Sequence, residues 1–170
     1  MRCFIAIEAP KELFSFQEEF KLKGIKLVNN YHLTISFLGE ISEEKAEEIK
    51  KKLVNVSFKK FKLEFTRLGA FPNQERIRVI WAGLKDTEEF QNLKKQIDEI
   101  TGANEDEKSL FVPHITIGRV KFIEDKKKLT EKLKLKISGA FMVEEVILFK
   151  STLTEKGPIY EVLGKASSSS

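Results

Sequence analysis

The sequence predicts an α+β fold of two similar β-rich lobes, with helices on the outer faces and a cleft between them. Three observations carry that expectation. Short segments in which apolar and polar residues alternate recur along the chain, and that period marks half-buried strands. Helical segments with recognisable caps separate them. The chain's two histidines also open the same phrase twice, as His32-Leu33-Thr34-Ile35 and His114-Ile115-Thr116-Ile117, 82 positions apart.

The elements run in two similar passes. Residues 2–8 read as a strand through Cys3-Phe4-Ile5-Ala6-Ile7, and Pro10 opens a helix over about 11–23 that Gly24 stops. The first histidine strand covers about 31–38 and ends at Gly39. Ser42 caps a helix to about 54, with Glu43 and Glu44 in its first turn and Lys50, Lys51 and Lys52 near its end, an order that suits the helix dipole. A strand at about 60–68 closes the pass.

The second pass starts with a strand at about 76–83. Asp86-Thr87-Glu88-Glu89 resembles a capping box, with Asp in the Ser/Thr place, for a helix to about 101 stopped at Gly102. An acidic, polar loop at 103–111 precedes the second histidine strand at about 112–120. A Lys-rich helix at about 124–133 and strands at about 134–141, 145–153 and 158–163 follow. The serine run in 166–170 reads as a disordered tail. Gly69-Ala70-Phe71 and Gly139-Ala140-Phe141, each closing a strand, support internal duplication. The expectation is one bilobal domain over 1–165, with sequence halves of about 1–72 and 76–165.

Bulk properties narrow the classes. A length of 170 residues with 41% hydrophobic content and 14 Phe suits one well-filled domain. A net charge of +4 fits an anionic ligand such as a nucleotide or RNA, without demanding one. Cys3 stands alone, so no intrachain disulfide can form, and its apolar setting reads as a buried structural thiol. No apolar stretch approaches membrane-spanning length and no signal peptide is evident. The chain reads as a soluble, cytoplasmic protein, and as a monomer if internal duplication completes the cleft.

The histidine strands carry the chemistry. Alternation puts Thr34 and Ser36 on the face of His32 and Thr116 on the face of His114, with Leu33, Ile35, Phe37, Ile115 and Ile117 in the core. A His and a Thr two apart lie roughly 6.5–7 Å apart along a strand, enough to span one tetrahedral anion. Imidazole titrates near neutral pH, so a pair can supply a general base and a general acid together. Two such strands would grip a phosphate from opposite sides, as in-line displacement requires. Arg119 falls on the wrong face by strict alternation; Gly118 could break the pleat and re-aim it toward phosphate oxygens.

Other chemistries fit less well. Two histidines could bind zinc, but no further ligand repeats beside them. There is no Gly-x-Ser-x-Gly elbow and no Walker-type phosphate loop, so neither a metal nor a cofactor is expected. Lys59, Lys60, Lys62, Lys121, Lys126, Lys127 and Lys128 could line an RNA groove or form a solvated face. Tyr31, Phe37 and Phe71 are candidates for base stacking, although alternation puts Phe37 in the core.

With these phrases in view, the chain resembles the 2H phosphoesterase superfamily, whose signature is two His-x-Thr/Ser-x motifs. Within it, the chain is similar to the RNA 2′,3′-cyclic phosphodiesterases, historically called 2′-5′ RNA ligases. The resemblance spans nearly all of residues 1–163, including Tyr31-His32-Leu33-Thr34-Ile35-Ser36-Phe37-Leu38-Gly39, Leu68-Gly69-Ala70-Phe71-Pro72, Arg78-Val79-Ile80-Trp81-Ala82-Gly83 and Phe111-Val112-Pro113-His114-Ile115-Thr116-Ile117-Gly118-Arg119. It implies a bilobal α+β fold of two pseudo-symmetric antiparallel sheets around a cationic groove. It also implies metal-free hydrolysis of a terminal 2′,3′-cyclic phosphate to a 2′-phosphomonoester. His32 and His114 would be the acid/base pair, with Thr34, Thr116 and Arg119 on the phosphate oxygens; which of the two is base stays open, with the preference going to His114. Partners would be RNA with 2′,3′-cyclic phosphate ends, tRNA fragments included, or small cyclic nucleotides. Ligation of 2′-5′ ends, another cyclic-nucleotide diesterase activity, or a non-catalytic RNA-end-binding module are the alternatives.

Overall fold

The computed structural model describes residues 1–102 and 113–169. In chain order these form β1 (Arg2–Glu8), a 3-10 helix (Lys11–Phe20), β2 (Ile25–Leu27), β3 (His32–Glu40), α1 (Glu43–Leu53), β4 (Phe61–Pro72), β5 (Ile77–Leu84), α2 (Glu88–Thr101), β6 (His114–Val120), α3 (Lys126–Lys132), β7 (Ala140–Val143), β8 (Glu145–Thr154) and β9 (Gly157–Ser167). All strand pairs are antiparallel, in the order β7-β4-β5-β6-β3-β1-β8-β9, with β2 beside β6.

Local chemistry explains most elements. In α1, the Ser42 hydroxyl accepts from the Lys45 amide at 3.0 Å, and Ala46, Ile49 and Leu53 form the buried stripe. In α2, Phe90, Leu93 and Ile97 are fully buried, and Gly102 ends the helix in the left-handed region at φ 79°. β1 is apolar on both faces because both are covered. Cys3, Ile5 and Ile7 enter the main core, while Phe4 and Ala6 join Ile147 and Phe149 in a second cluster.

Several expectations are corrected. The cap of α2 is Thr87, whose hydroxyl accepts from the Phe90 amide at 3.2 Å; Asp86 instead accepts from the Gln91 side chain at 2.6 Å. The first helix is 3-10 and ends at Phe20. Phe14 leaves helical geometry there and stacks on Tyr31 at 3.9 Å, so packing of a bulky ring overrides the helical pattern. The strand expected at 134–141 begins only at Ala140, and the short β2 was not anticipated. The serine tail is ordered through Ser169. Ala166 is buried in β9, the Ser168 amide donates to the Glu144 carbonyl at 2.8 Å, and the Ser169 amide donates to the Phe58 carbonyl at 2.9 Å. Backbone pairing is indifferent to side-chain polarity, so a Ser run can continue a strand. The loop 103–111 and the start of the expected strand at 112 lie outside the described residues.

The sheet divides into two lobes, β7-β4-β5-β6 with β2 beside β6, and β3-β1-β8-β9, that meet where β6 and β3 share the single pair Leu33↔Ile115. These lobes are not the sequence halves. β4, from the first half, pairs with β5, and β8, from the second, pairs with β1. Each half thus lends two strands to the other lobe, β2 and β4 one way and β8 and β9 the other. Buried side chains of α1, α2 and α3 all enter the main core with Leu33 and Ile115, so the helices cover one face of the sheet. The histidines lie on the other.

Candidate active site

The seam between the lobes builds the site. Leu33 and Ile115 face each other and are fully buried. Strand alternation therefore turns His32, Thr34, His114 and Thr116 to the opposite, open face, where all four are partly buried. Because the strands are antiparallel, each histidine lies across from the other strand's threonine. The two histidines are then diagonal neighbours, with Cβ atoms roughly 7–8 Å apart. That gap admits one phosphate between two imidazoles.

Past each threonine, both strands bulge at the same place. Ala6↔Thr34 is followed by Ile5↔Ser36, leaving Ile35 as an extra residue; Trp81↔Thr116 is followed by Ile80↔Gly118, leaving Ile117 extra. A bulge resets the alternation. Phe37 consequently pairs with Phe4 and Arg119 with Val79, and both return to the histidine face. Arg119 thus reaches the histidine face through a bulge whose extra residue is Ile117, while Gly118 stays paired with Ile80. The reset on β3 overturns the core placement of Phe37, which is 78% exposed and leans on Phe4 with ring centroids 6.4 Å apart. Its partner strand, invisible from local sequence, sets the bulge.

Aromatic rings wall both histidines. His32 touches Phe4 at 5.8 Å, Phe149 at 5.1 Å and Tyr160 at 5.1 Å between centroids. His114 meets the edge of Phe71 at 4.9 Å and lies 6.2 Å from Trp81. Phe149 and Phe71 are counterparts, since Phe149 pairs with Phe4 and Phe71 with Val79. The match between Gly69-Ala70-Phe71 and Gly139-Ala140-Phe141 is therefore misleading: Phe141 pairs with Leu63 on an outer strand and packs into the core. Phe4, Phe149, Tyr160 and Trp81 were missed as site residues. Their signal would have been long-range pairing, which a single sequence does not display.

Burial dominates the electrostatics of the His32 wall. Burial among rings pushes the His32 pKa down to about 4, because a desolvated imidazolium is disfavoured. Burial also raises the Tyr160 phenol, against the opposing positive charges of Arg119 and Arg2. Arg119 is exposed on β6 yet felt at Tyr160 on the far lobe, so its charge spans the seam.

Of the other candidates, Tyr31 is a core residue, stacked on Phe14 with its hydroxyl donating to the Gln17 side-chain oxygen. Lys62 pairs with Glu64 at 3.1 Å on the β7 side of β4, and Lys126 donates to the Glu75 carbonyl at 2.8 Å. Among the described residues, no group of three or more His, Cys, Asp or Glu side chains is placed to hold a metal ion. No helix among them is long and apolar enough to cross a membrane.

Two lobes around two diagonal His-x-Thr strands define a two-histidine phosphoesterase. The chain belongs to the LigT-like phosphoesterase family, whose model matches residues 5–81 and again 84–160, as an internally duplicated fold should. A Methanocaldococcus jannaschii relative named RNA 2′,3′-cyclic phosphodiesterase is 44% identical, over 96% of this chain and 98% of its own. An Archaeoglobus fulgidus relative of the same name is 35% identical over the same shares. A solved structure from Thermus thermophilus superposes with TM-score 0.81 at 28% identity, covering 98% and 97% of the two chains. Escherichia coli LigT complexed with 3′-AMP superposes with TM-score 0.78 over 99% and 98%; at 23% identity it attests to the fold.

Proposed function

We propose that this chain hydrolyses the terminal 2′,3′-cyclic phosphate of RNA to a 2′-phosphomonoester, without a metal ion or cofactor. The observation that carries the reading is the diagonal placement of two identical His-x-Thr strands on one open face. Water forms the new bond to phosphorus while the bond from phosphorus to the 3′-oxygen breaks. One imidazole takes the water proton and the other gives a proton to the departing 3′-oxygen. Thr34, Thr116 and Arg119 donate to the non-bridging oxygens.

His32 suits the acid and His114 the base. An imidazole whose pKa burial holds near 4 is a weak base, but its protonated form yields the proton readily. A bound phosphate anion supplies the nearby negative charge that raises this pKa and loads the proton. The reading carries with it a cytoplasmic monomer and a single domain over 1–165, since one chain supplies both halves of the cleft.

The test is turnover of a short RNA ending in a 2′,3′-cyclic phosphate, with EDTA present, the product read by phosphorus NMR. Wild type should give a 2′-phosphate, and His32→Ala and His114→Ala should each lose about 10²–10⁴-fold in rate. Full activity in either variant would remove that histidine from the mechanism. Binding of the cyclic end without turnover would favour a non-catalytic RNA-end module.

A further inference from the structure

Arg67 lies behind the His114 wall and plays no part in the chemistry above. It sits in an irregular stretch of β4, where the register to β5 shifts between Phe65 and Leu68. Its guanidinium carbon stands 5.0 Å from the centre of the Trp81 ring, a cation–π contact, and one nitrogen donates to the Leu68 carbonyl at 3.4 Å. Trp81 is the chain's only tryptophan and is 5% exposed. A Cβ at Gly69 would lie 2.2 Å from its ring, so the missing side chain lets the indole lie flat against β4. The indole N–H is buried without a hydrogen-bond partner among the described residues. Stacking therefore fixes this ring, and the ring fixes the arginine.

Arg67 is exposed and, like the chain's four other arginines, makes no ion pair among the described residues; the ring beneath it sets it apart. Its guanidinium is held over the Trp81 ring on the histidine side of the sheet, and among the described residues its bond to the Leu68 carbonyl leaves the other donors open. Trp81 touches both Arg67 and His114, so the guanidinium is one indole away from the imidazole. A single strand can span that separation between successive phosphates.

We propose that Arg67, held over the Trp81 ring, binds the phosphodiester just upstream of the terminal cyclic phosphate. This deepens the proposed function and rests on it: the site takes oligonucleotide ends in preference to nucleoside 2′,3′-cyclic phosphates. A planar fork binds a phosphate through two parallel hydrogen bonds, which a lysine cannot reproduce.

The experiment compares kcat/KM on a cyclic-ended trinucleotide with kcat/KM on the matching nucleoside 2′,3′-cyclic phosphate. In Arg67→Gln the oligonucleotide-to-mononucleotide ratio should fall about tenfold, through KM, the scale of one exposed charge-assisted contact. The slope of log KM against log salt should drop by about one for the oligonucleotide. Arg67→Lys should restore the salt slope but only part of the ratio. Trp81 emission should shift more when wild type binds the product trinucleotide than when it binds the mononucleotide product, and that excess should vanish in Arg67→Gln. An unchanged ratio in a folded Arg67→Gln protein would overturn the assignment. Wild type inactive on both substrates would overturn the function reading instead, and Trp81 emission would still report whether Arg67 binds the strand.

Discussion

The two walls of the cleft follow one plan and are built from different residues. Both have a histidine, a threonine two places on, a bulge at the next residue and a phenylalanine from the strand two places away in the same lobe. Beyond that they diverge. The His32 wall has Ala6 opposite Thr34, and the ring of Phe4 adds to those of Phe149 and Tyr160 around the imidazole. The His114 wall has Trp81 opposite Thr116, made possible by Gly69 where the other lobe has Ile147 beside Ala6. Large and small trade places, and each lobe still fills its space. After the bulge, one wall presents Phe37 and the other Arg119. Duplication supplied two like histidines, and divergence around them lined one wall with more rings and put an arginine on the other. The proposed acid and base must differ, and that divergence suits the proposal.

The largest effect that probes this contrast is the proton affinity of His32. The unfolded chain takes up a proton there near pH 6.5, and the folded chain only near 4. Stability is therefore level above that window and falls as the pH drops through it, by as much as about 3 kcal/mol. His32→Gln should remove this share, so urea unfolding at pH 7 and pH 4.5 should show a smaller difference for the variant than for wild type. In turnover, the limb belonging to His32 should lie at higher pH in kcat than in kcat/KM, because substrate phosphate raises its pKa only in the complex. Equal pH dependence of stability in both proteins would mean that the rings around His32 do not hold its proton affinity down.

Arg119 comes next. Arg119→Ala should lower kcat/KM on a cyclic-ended RNA by about 10–100-fold, the range for a hydrogen bond to a charged group. Arg119→Lys should recover only part, since the charge returns without the fork. A loss below twofold would mean that the bulge on β6 re-aims a side chain that the phosphate does not use.

Much of this site was legible in the chain itself. Leu33, Ile35, Ile115 and Ile117 are apolar at alternate positions, so the face of each histidine could be read locally. Gly118 hinted at the reset that brings Arg119 round. No such hint marks Phe37, because Ser36 precedes it and the bulge depends on β1, some thirty residues upstream. The rings around His32 come from β1, β8 and β9, and β8 pairs with β1 across most of the chain length. Lobe membership was opaque for the same reason. Which strand lies beside which is decided by packing between distant segments, and alternation is blind to it.

The smallest effect is the one that alternation misjudged. Phe37 sits on the open face with 78% of its surface exposed, held only by its tilt against Phe4. A core phenylalanine replaced by Ser would cost about 3–5 kcal/mol, whereas an exposed one changes stability by about 0.5 kcal/mol or less. Phe37→Ser should therefore melt close to wild type. Every nucleobase has a π-face, and stacking on one aromatic ring is worth about 1–3 kcal/mol. A ring supported on one side belongs at the low end, so KM for a cyclic-ended RNA should rise about fivefold with kcat nearly level. Purine ends, with the larger face, should lose more than pyrimidine ends. A large drop in melting temperature would return Phe37 to the core. An unchanged KM would leave the His32 wall with no part in holding the base, and the contrast between the walls would then rest on His32 and Arg119 alone.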